Sequence, residues 1–279
     1  MGPHLRRRRQ GVPGRRVAAG HRGPAHTRLP QRLPPLRHPR GLQSPAPRRG
    51  QGGVGMSVSR PQRQVTAPVQ RLSIAFAVSG AARYVGGLDM GRAWVRALRR
   101  LGLPLAYSFG FSPHPRVSLA APLPVGFAAE RELVEVYLDA RVEPADVAGR
   151  LPAQLPAGLG VRGVEELPLN APPLASRIQA ADYVVQFLDP PPADLAERVA
   201  RLLEAQTLPF ARVRPGREVR FDLRPRILAA RVEERAGKAA LTLRLQHGPR
   251  GAARPEDVLA ALGLEPAAAR VTRVALVLA

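Results

Sequence analysis

From Arg71 onward one order of elements recurs twice along the chain, strand, helix, strand, strand, helix, strand. A chain patterned this way has two amphipathic helices to bury against every four strands, which leaves few architectures open. The first strand is read from Leu72, Ile74, Phe76 and Val78, which alternate with Arg71, Ser73, Ala75 and Ala77. Period two is the mark of a half-buried strand. The first helix is read from Leu88, Trp94, Val95, Leu98 and Leu101, taken as one apolar face. Asp89 suits its first turn, and Gly102 and Pro104 mark its end. Strands are expected at Val117–Ala120 and Leu133–Leu138, a short helix from Pro144 to Leu151, and a weaker strand at Leu159–Leu167.

The Pro-rich stretch Leu167–Leu174 reads as a linker, after which the order returns. Tyr183, Val185 and Phe187 form a strand, and Leu195, Val199 and Leu202 one face of a helix whose Glu197 and Arg201 make an i, i+4 pair. Val219–Leu223 and Leu241–Leu245 alternate, with Gly237 between them as a hairpin turn. Pro255 opens a helix that Gly263 closes, and Val271–Leu278 is the final strand. The expected class is therefore α+β. It consists of two tandem ferredoxin-like βαββαβ units with antiparallel sheets, at 71–168 and 175–279.

Charge is uneven. Of 43 basic residues, 15 fall within residues 1–70, and none of the 21 acids does. That Arg-, Pro- and Gly-rich tail has too few apolar residues to offset its ordering entropy, so disorder is expected. Two readings of it are open: a basic arm that holds nucleic acid, or translated upstream sequence with the true start at Met56. The chain has no cysteine, which excludes disulfides, Cys-ligated zinc and cysteine-held iron–sulfur clusters within it. No metal or other cofactor is expected. No apolar run is long enough to span a membrane and no signal peptide is legible, so a cytoplasmic location is expected.

Two segments hold the candidate functional residues. The first helix carries Arg92, Arg96, Arg99 and Arg100 on its polar side. Like charges at these spacings repel, so the stripe is either a solvated face or a match for a negative partner. The loop Ala106–Arg116 packs Tyr107, Ser108, Phe109, Phe111, His114 and Arg116 among Gly110, Pro113 and Pro115. His114 can act as a general acid or base; Arg116 can pair with phosphate; the aromatics can stack on bases. The plainer alternative is a rigid connector whose aromatics plug the core while His114 caps a carbonyl. His247, followed by Gly248 and Pro249, reads as a surface turn residue. The pairs Glu165–Glu166 and Glu233–Glu234 read as solvated.

The ordered block Arg83–Asp89, Arg92, Arg96–Arg100, Pro104–Ser108 and Gly110–Arg116 resembles an uncharacterised family, the radical-SAM-linked domain of unknown function. The likeness continues through Pro124–Gly126, Glu132, Glu135, Asp222–Pro225 and Arg254–Pro255. It implies a domain that ends a radical-SAM protein or works beside one encoded separately; the missing cysteines agree with the second form. This chain departs from the family where Gly86-Gly87-Leu88-Asp89 replaces the usual Ser-His-Leu-Asp, and near Val78, where relatives carry a lysine. That leaves Asp89, Arg92, Ser108, His114 and Arg116 as a candidate cluster, with Arg96, Arg99 and Phe111 as further binding residues. The expectation is a non-catalytic adaptor acting with a separate radical-SAM protein, with RNA as a second partner. The alternatives are a metal-independent RNA-processing enzyme using His114, and a purely structural partner.

Overall fold

The computed structural model describes residues 67–279 except Pro215, Ala236, Pro249 and Arg250. The reading of residues 1–66 as part of a disordered tail lies outside the described residues. The elements of the first half are β1 (Gln70–Val78), α1 (Gly87–Arg100), β2 (Val117–Leu119), β3 (Ala128–Leu138), α2 (Pro144–Arg150) and β4 (Leu159–Leu167). A short helix α3 (Leu174–Arg177) leads into β5 (Ile178–Phe187), α4 (Leu195–Glu204), β6 (Pro209–Arg214), β7 (Arg217–Asp222), β8 (Ile227–Arg235), β9 (Lys238–Gln246), α5 (Pro255–Ala261) and β10 (Ala269–Leu278).

The fold is α+β with one mostly antiparallel sheet, in the order β4-β1-β3-β10-β5-β9-β8, and β2 pairs onto β3. The two sheets expected from the sequence are thus joined. Their seam is a short parallel pairing, Thr272 opposite Ala128 and Arg273 opposite Ala129. Within each half the neighbours are antiparallel, β1 lying between β3 and β4, and β5 between β9 and β10.

All nine residues of β1 are buried, where period two predicts only half. Leu72, Ile74, Phe76 and Val78 face Trp94, Leu98 and Val134 in the core beneath α1. Phe76 and Trp94 meet edge-on with centroids 4.8 Å apart, a geometry that adds about 0.5–1.5 kcal/mol beyond the area buried. The opposite face is covered as well: Ala75 packs with Leu174 and Ile178. Alternation identifies the strand but cannot say that the linker returns to cover its polar side.

Two further expectations are corrected. Leu88 is not on the buried face of α1, which consists of Met90, Trp94, Ala97 and Leu98. Met90 lies four residues before Trp94, whereas Leu88 lies six before it and points elsewhere. Gly237 does turn a hairpin, with φ of 71°, but the strand it joins to β9 is β8 rather than Val219–Leu223. The latter pairs with β6 in a separate two-stranded sheet. β8 hides its period because its register with β9 shifts between Ile227 and Ala229, leaving Leu228 exposed.

Candidate binding surface

Two fully buried arginines brace the framework. Arg71 donates to Glu135, through Nε at 2.5 Å and also through Nη2. It also donates to the carbonyls of Pro168 at 3.0 Å, Ala171 at 2.6 Å and Pro172 at 2.8 Å. One guanidinium therefore pins the linker across the sheet, satisfying donors that would be costly to bury alone. Arg273 donates from Nε to Glu132 at 2.6 Å and from Nη2 to Glu132 at 2.5 Å and the Ala121 carbonyl at 2.8 Å. Burial raises the Glu132 carboxyl above its ordinary range, while the hydrogen bond and charge of Arg273 pull it down. Burial likewise raises the Tyr183 phenol.

Other residues that carry the family likeness are structural too. The Asp222 carboxylate accepts from the backbone N–H of Leu208 at 2.8 Å and of Arg224 at 3.0 Å. Arg224 donates to the carbonyls of Leu203 and Ile227. Asp257 accepts from the Arg254 backbone N–H at 2.9 Å ahead of Pro255, the first residue of α5.

The loop 106–116 is a protruding hairpin. Tyr107 bridges Pro115. The Ser108 N–H donates to the His114 carbonyl at 2.8 Å, the Arg116 N–H to the Ala106 carbonyl at 2.8 Å, and the His114 N–H to Ser108 Oγ at 3.0 Å. Of the loop's three aromatics only Tyr107 packs on the core, beside the fully buried Ala106. Phe109 is 72% exposed and Phe111 fully so, so these two aromatics do not plug the interior. The backbone of His114 is fixed, but its exposed imidazole has no hydrogen bond or ion pair among the described residues. A general base needs a group that orients it. Arg116 lies over the Tyr137 ring, 3.9 Å from the centroid.

The foot of the hairpin rests on α1, where Arg99 Nη2 donates to the Tyr107 hydroxyl at 2.9 Å. Arg92, Arg96 and Arg99 are exposed. Arg92 pairs with Asp89 at 3.0 Å, and Arg96 has no such partner among the described residues. The candidate cluster therefore divides in two. Asp89 and Arg92 belong to the first turns of α1, and Ser108, His114 and Arg116 to the hairpin. No hydrogen bond or ion pair among the described residues joins the two groups, and Arg99 is the link between α1 and the loop.

At the start of α1 lies a patch that sequence reasoning missed. Tyr84 is 63% exposed, Leu88 82% and Val125 62%. The loop bearing Val125 is held there by the Gly126 N–H, which donates to the Arg83 carbonyl at 2.7 Å. The misfit of Leu88 with the Met90–Trp94 spacing was the available signal. His247, expected at the surface, is half-buried with Nδ1 unpartnered. Burial, then the charges of Arg273 and Arg254, lower its pKa. Among the described residues no three His, Cys, Asp or Glu side chains gather to hold a metal ion, and no helix is long and apolar enough to cross a membrane.

The profile of a family described as an uncharacterized protein conserved in bacteria (DUF2344) matches residues 71–255, about two thirds of the chain. The chain belongs to that family. The matched span begins at Arg71, takes in α1 and the whole hairpin, and ends at the first residue of α5. No curated protein matches the chain.

Proposed function

We propose that this chain is a non-catalytic adaptor in the cytoplasm that acts with a separate radical-SAM protein, and that α1 and the hairpin 106–116 form its working surface. The observation that carries the reading is the exposure of Phe109 and Phe111 on a hairpin whose backbone is already hydrogen-bonded. Large apolar side chains held rigidly in water are anchors awaiting a pocket, and a preformed loop loses little entropy on docking. The absence of thiolates puts any cluster chemistry on the other chain. On this reading each half is a ferredoxin-like unit. The neighbours β4-β1-β3-β2 and β10-β5-β9-β8 follow one pattern, which supports a duplication.

The test is co-migration in size-exclusion chromatography of the purified chain with the radical-SAM protein encoded beside it. Complex formation is expected, with loss of the complex for Phe109→Ala/Phe111→Ala at unchanged circular dichroism. A mixture that elutes as two separate species refutes the reading.

RNA is a second reading, favoured by the arginines of α1 beside exposed aromatic rings. Fluorescence anisotropy with a hairpin RNA should then show affinity falling as salt rises, and no binding at low salt removes it. Catalysis by His114 is the weaker alternative, and unchanged RNA cleavage by His114→Ala eliminates it.

A further inference from the structure

We propose that the outward stripe of α1 is a docking site for an acidic amphipathic helix of a partner protein. This rests on the adaptor reading above and names the chemistry of the segment that would be recognised.

The stripe has three zones. At its start Tyr84 and Leu88 are exposed, and the bond from the Gly126 N–H to the Arg83 carbonyl ties the loop that bears the exposed Val125 to the residue before Tyr84. Along its middle run Arg92 and Arg96, followed by Arg99. At its far end Arg99 holds the foot of the hairpin that carries Phe109 and Phe111. Leu88, Arg92, Arg96 and Arg99 lie at offsets of four, eight and eleven residues, which share one side of a helix. Eleven residues at ~1.5 Å each make the stripe ~16 Å long, about three turns of a second helix.

The chemistry of the zones selects the occupant. Leu88 and Val125 have no ring to stack on a base and no group to pair with phosphate, so their exposure is not accounted for by nucleic acid. They match apolar side chains. Between the apolar ends the surplus is positive, because Asp89 offsets Arg92 and the exposed Arg96 has no ion-pair partner among the described residues. Carboxylates complement that middle zone. The segment of this chain before Arg71 is no candidate, since it carries 15 arginines and no acid and would be repelled. A helix with apolar residues toward both ends and Asp or Glu between them fits all three zones.

The probe is a fluorescein-labelled helical peptide of ~14 residues, Leu-anchored at both ends with Glu in the middle, titrated with the full chain. A twin with Lys in place of Glu is the control. The acidic peptide is expected to bind at least about tenfold tighter than its twin. Leu88→Asp and Arg96→Glu are each expected to weaken it by about tenfold or more, with the melting temperature unchanged. Equal binding of the two peptides, or indifference to both substitutions, overturns the inference. The same variants are then mixed with the radical-SAM protein. A complex that forms with the wild-type chain and survives both substitutions refutes this site while leaving the adaptor reading intact. Failure of the wild-type chain to form a complex refutes the adaptor reading itself.

Discussion

Replacing Arg273 by Met isolates the energetic role of the seam. The Arg273 side chain has no exposure and that of Glu132 is 3% exposed, so the substitution strands a carboxylate away from water. Breaking one side of a buried ion pair costs about 3–5 kcal/mol. A second route gives a similar figure. The stranded Glu132 can escape its charge by taking a proton. At pH 7, about 2.5 units above an ordinary carboxyl, this costs about 3.4 kcal/mol. The variant is therefore expected to lose about 3–4 kcal/mol at pH 7, read by urea unfolding followed by circular dichroism, with the denaturant slope unchanged.

The pH dependence carries a definite sign. Without Arg273, the folded pKa of Glu132 lies above its unfolded value, so the folded state binds the extra proton. Its stability is then fully present below the unfolded pKa and declines as pH rises toward the folded one. Between pH 7 and pH 5 the variant should recover stability relative to the wild type, in which Arg273 pulls the same carboxyl back down. The double substitution Glu132→Leu/Arg273→Met should be far closer to the wild type than Arg273→Met alone, because an apolar pair of similar volume removes the buried charge. If Arg273→Met costs less than about 1 kcal/mol, or if its deficit is the same at pH 5 and pH 7, the reasoning about a desolvated pair is wrong.

Three further outcomes are expected. Phe109→Ala/Phe111→Ala should leave stability within about 0.5 kcal/mol of the wild type, since truncating exposed side chains removes little buried area, while abolishing partner binding; a large drop in melting temperature would show that the rings are structural after all. His247→Gln should flatten the melting-temperature profile below pH 6.5: the folded pKa of His247 is depressed, so its contribution is present above the unfolded value and lost as pH falls through the folded one, and parallel profiles for variant and wild type would contradict this. Gly158→Ala should destabilise by at least about 1–3 kcal/mol, because Gly158 has φ of +89° and a Cβ there would lie 2.5 Å from the Ser79 carbonyl oxygen; an unchanged thermal melt would mean that the turn relaxes freely.

What the sequence disclosed depended on how local the determining contact was. β1, β5 and β9 carry period two, β3 and β10 are largely apolar runs, and α1 and α4 carry apolar faces, so these elements were legible. β8 was not, because an edge strand with a register shift loses its alternation. The joining of the two sheets was not legible either, since it rests on two pairs of residues far apart in the chain. The hairpin was recognised as unusual from its glycine, prolines and aromatics. Whether its rings point inward or outward is decided by tertiary packing, and both readings were open until then. Glu132 and Glu135 gave a clearer signal than they were granted. Two carboxylates within an apolar strand, three residues apart and so on opposite faces, each require a buried cation. Arg71 and Arg273 are those cations.

The seam also links the last strand to the proposed docking surface. Leu123 packs against the cores of both halves, and the Ala121 carbonyl is held by Arg273 from β10. The loop that follows reaches Val125 and is tied to Arg83 ahead of α1 by Gly126. A side chain of the second half thus positions a loop that exposes an apolar anchor of the first. The two halves should unfold together in one cooperative transition, because losing β10 strands Glu132 and frees the loop at once. Leu88 and the arginines of α1, held by the first core alone, would keep their places, so Arg273→Met should weaken acidic-peptide binding less than Leu88→Asp does. Unfolding in two separate steps would show that the two halves are not coupled in this way, and a larger binding loss for Arg273→Met would show that Leu88 and the arginines of α1 are not held by the first core alone.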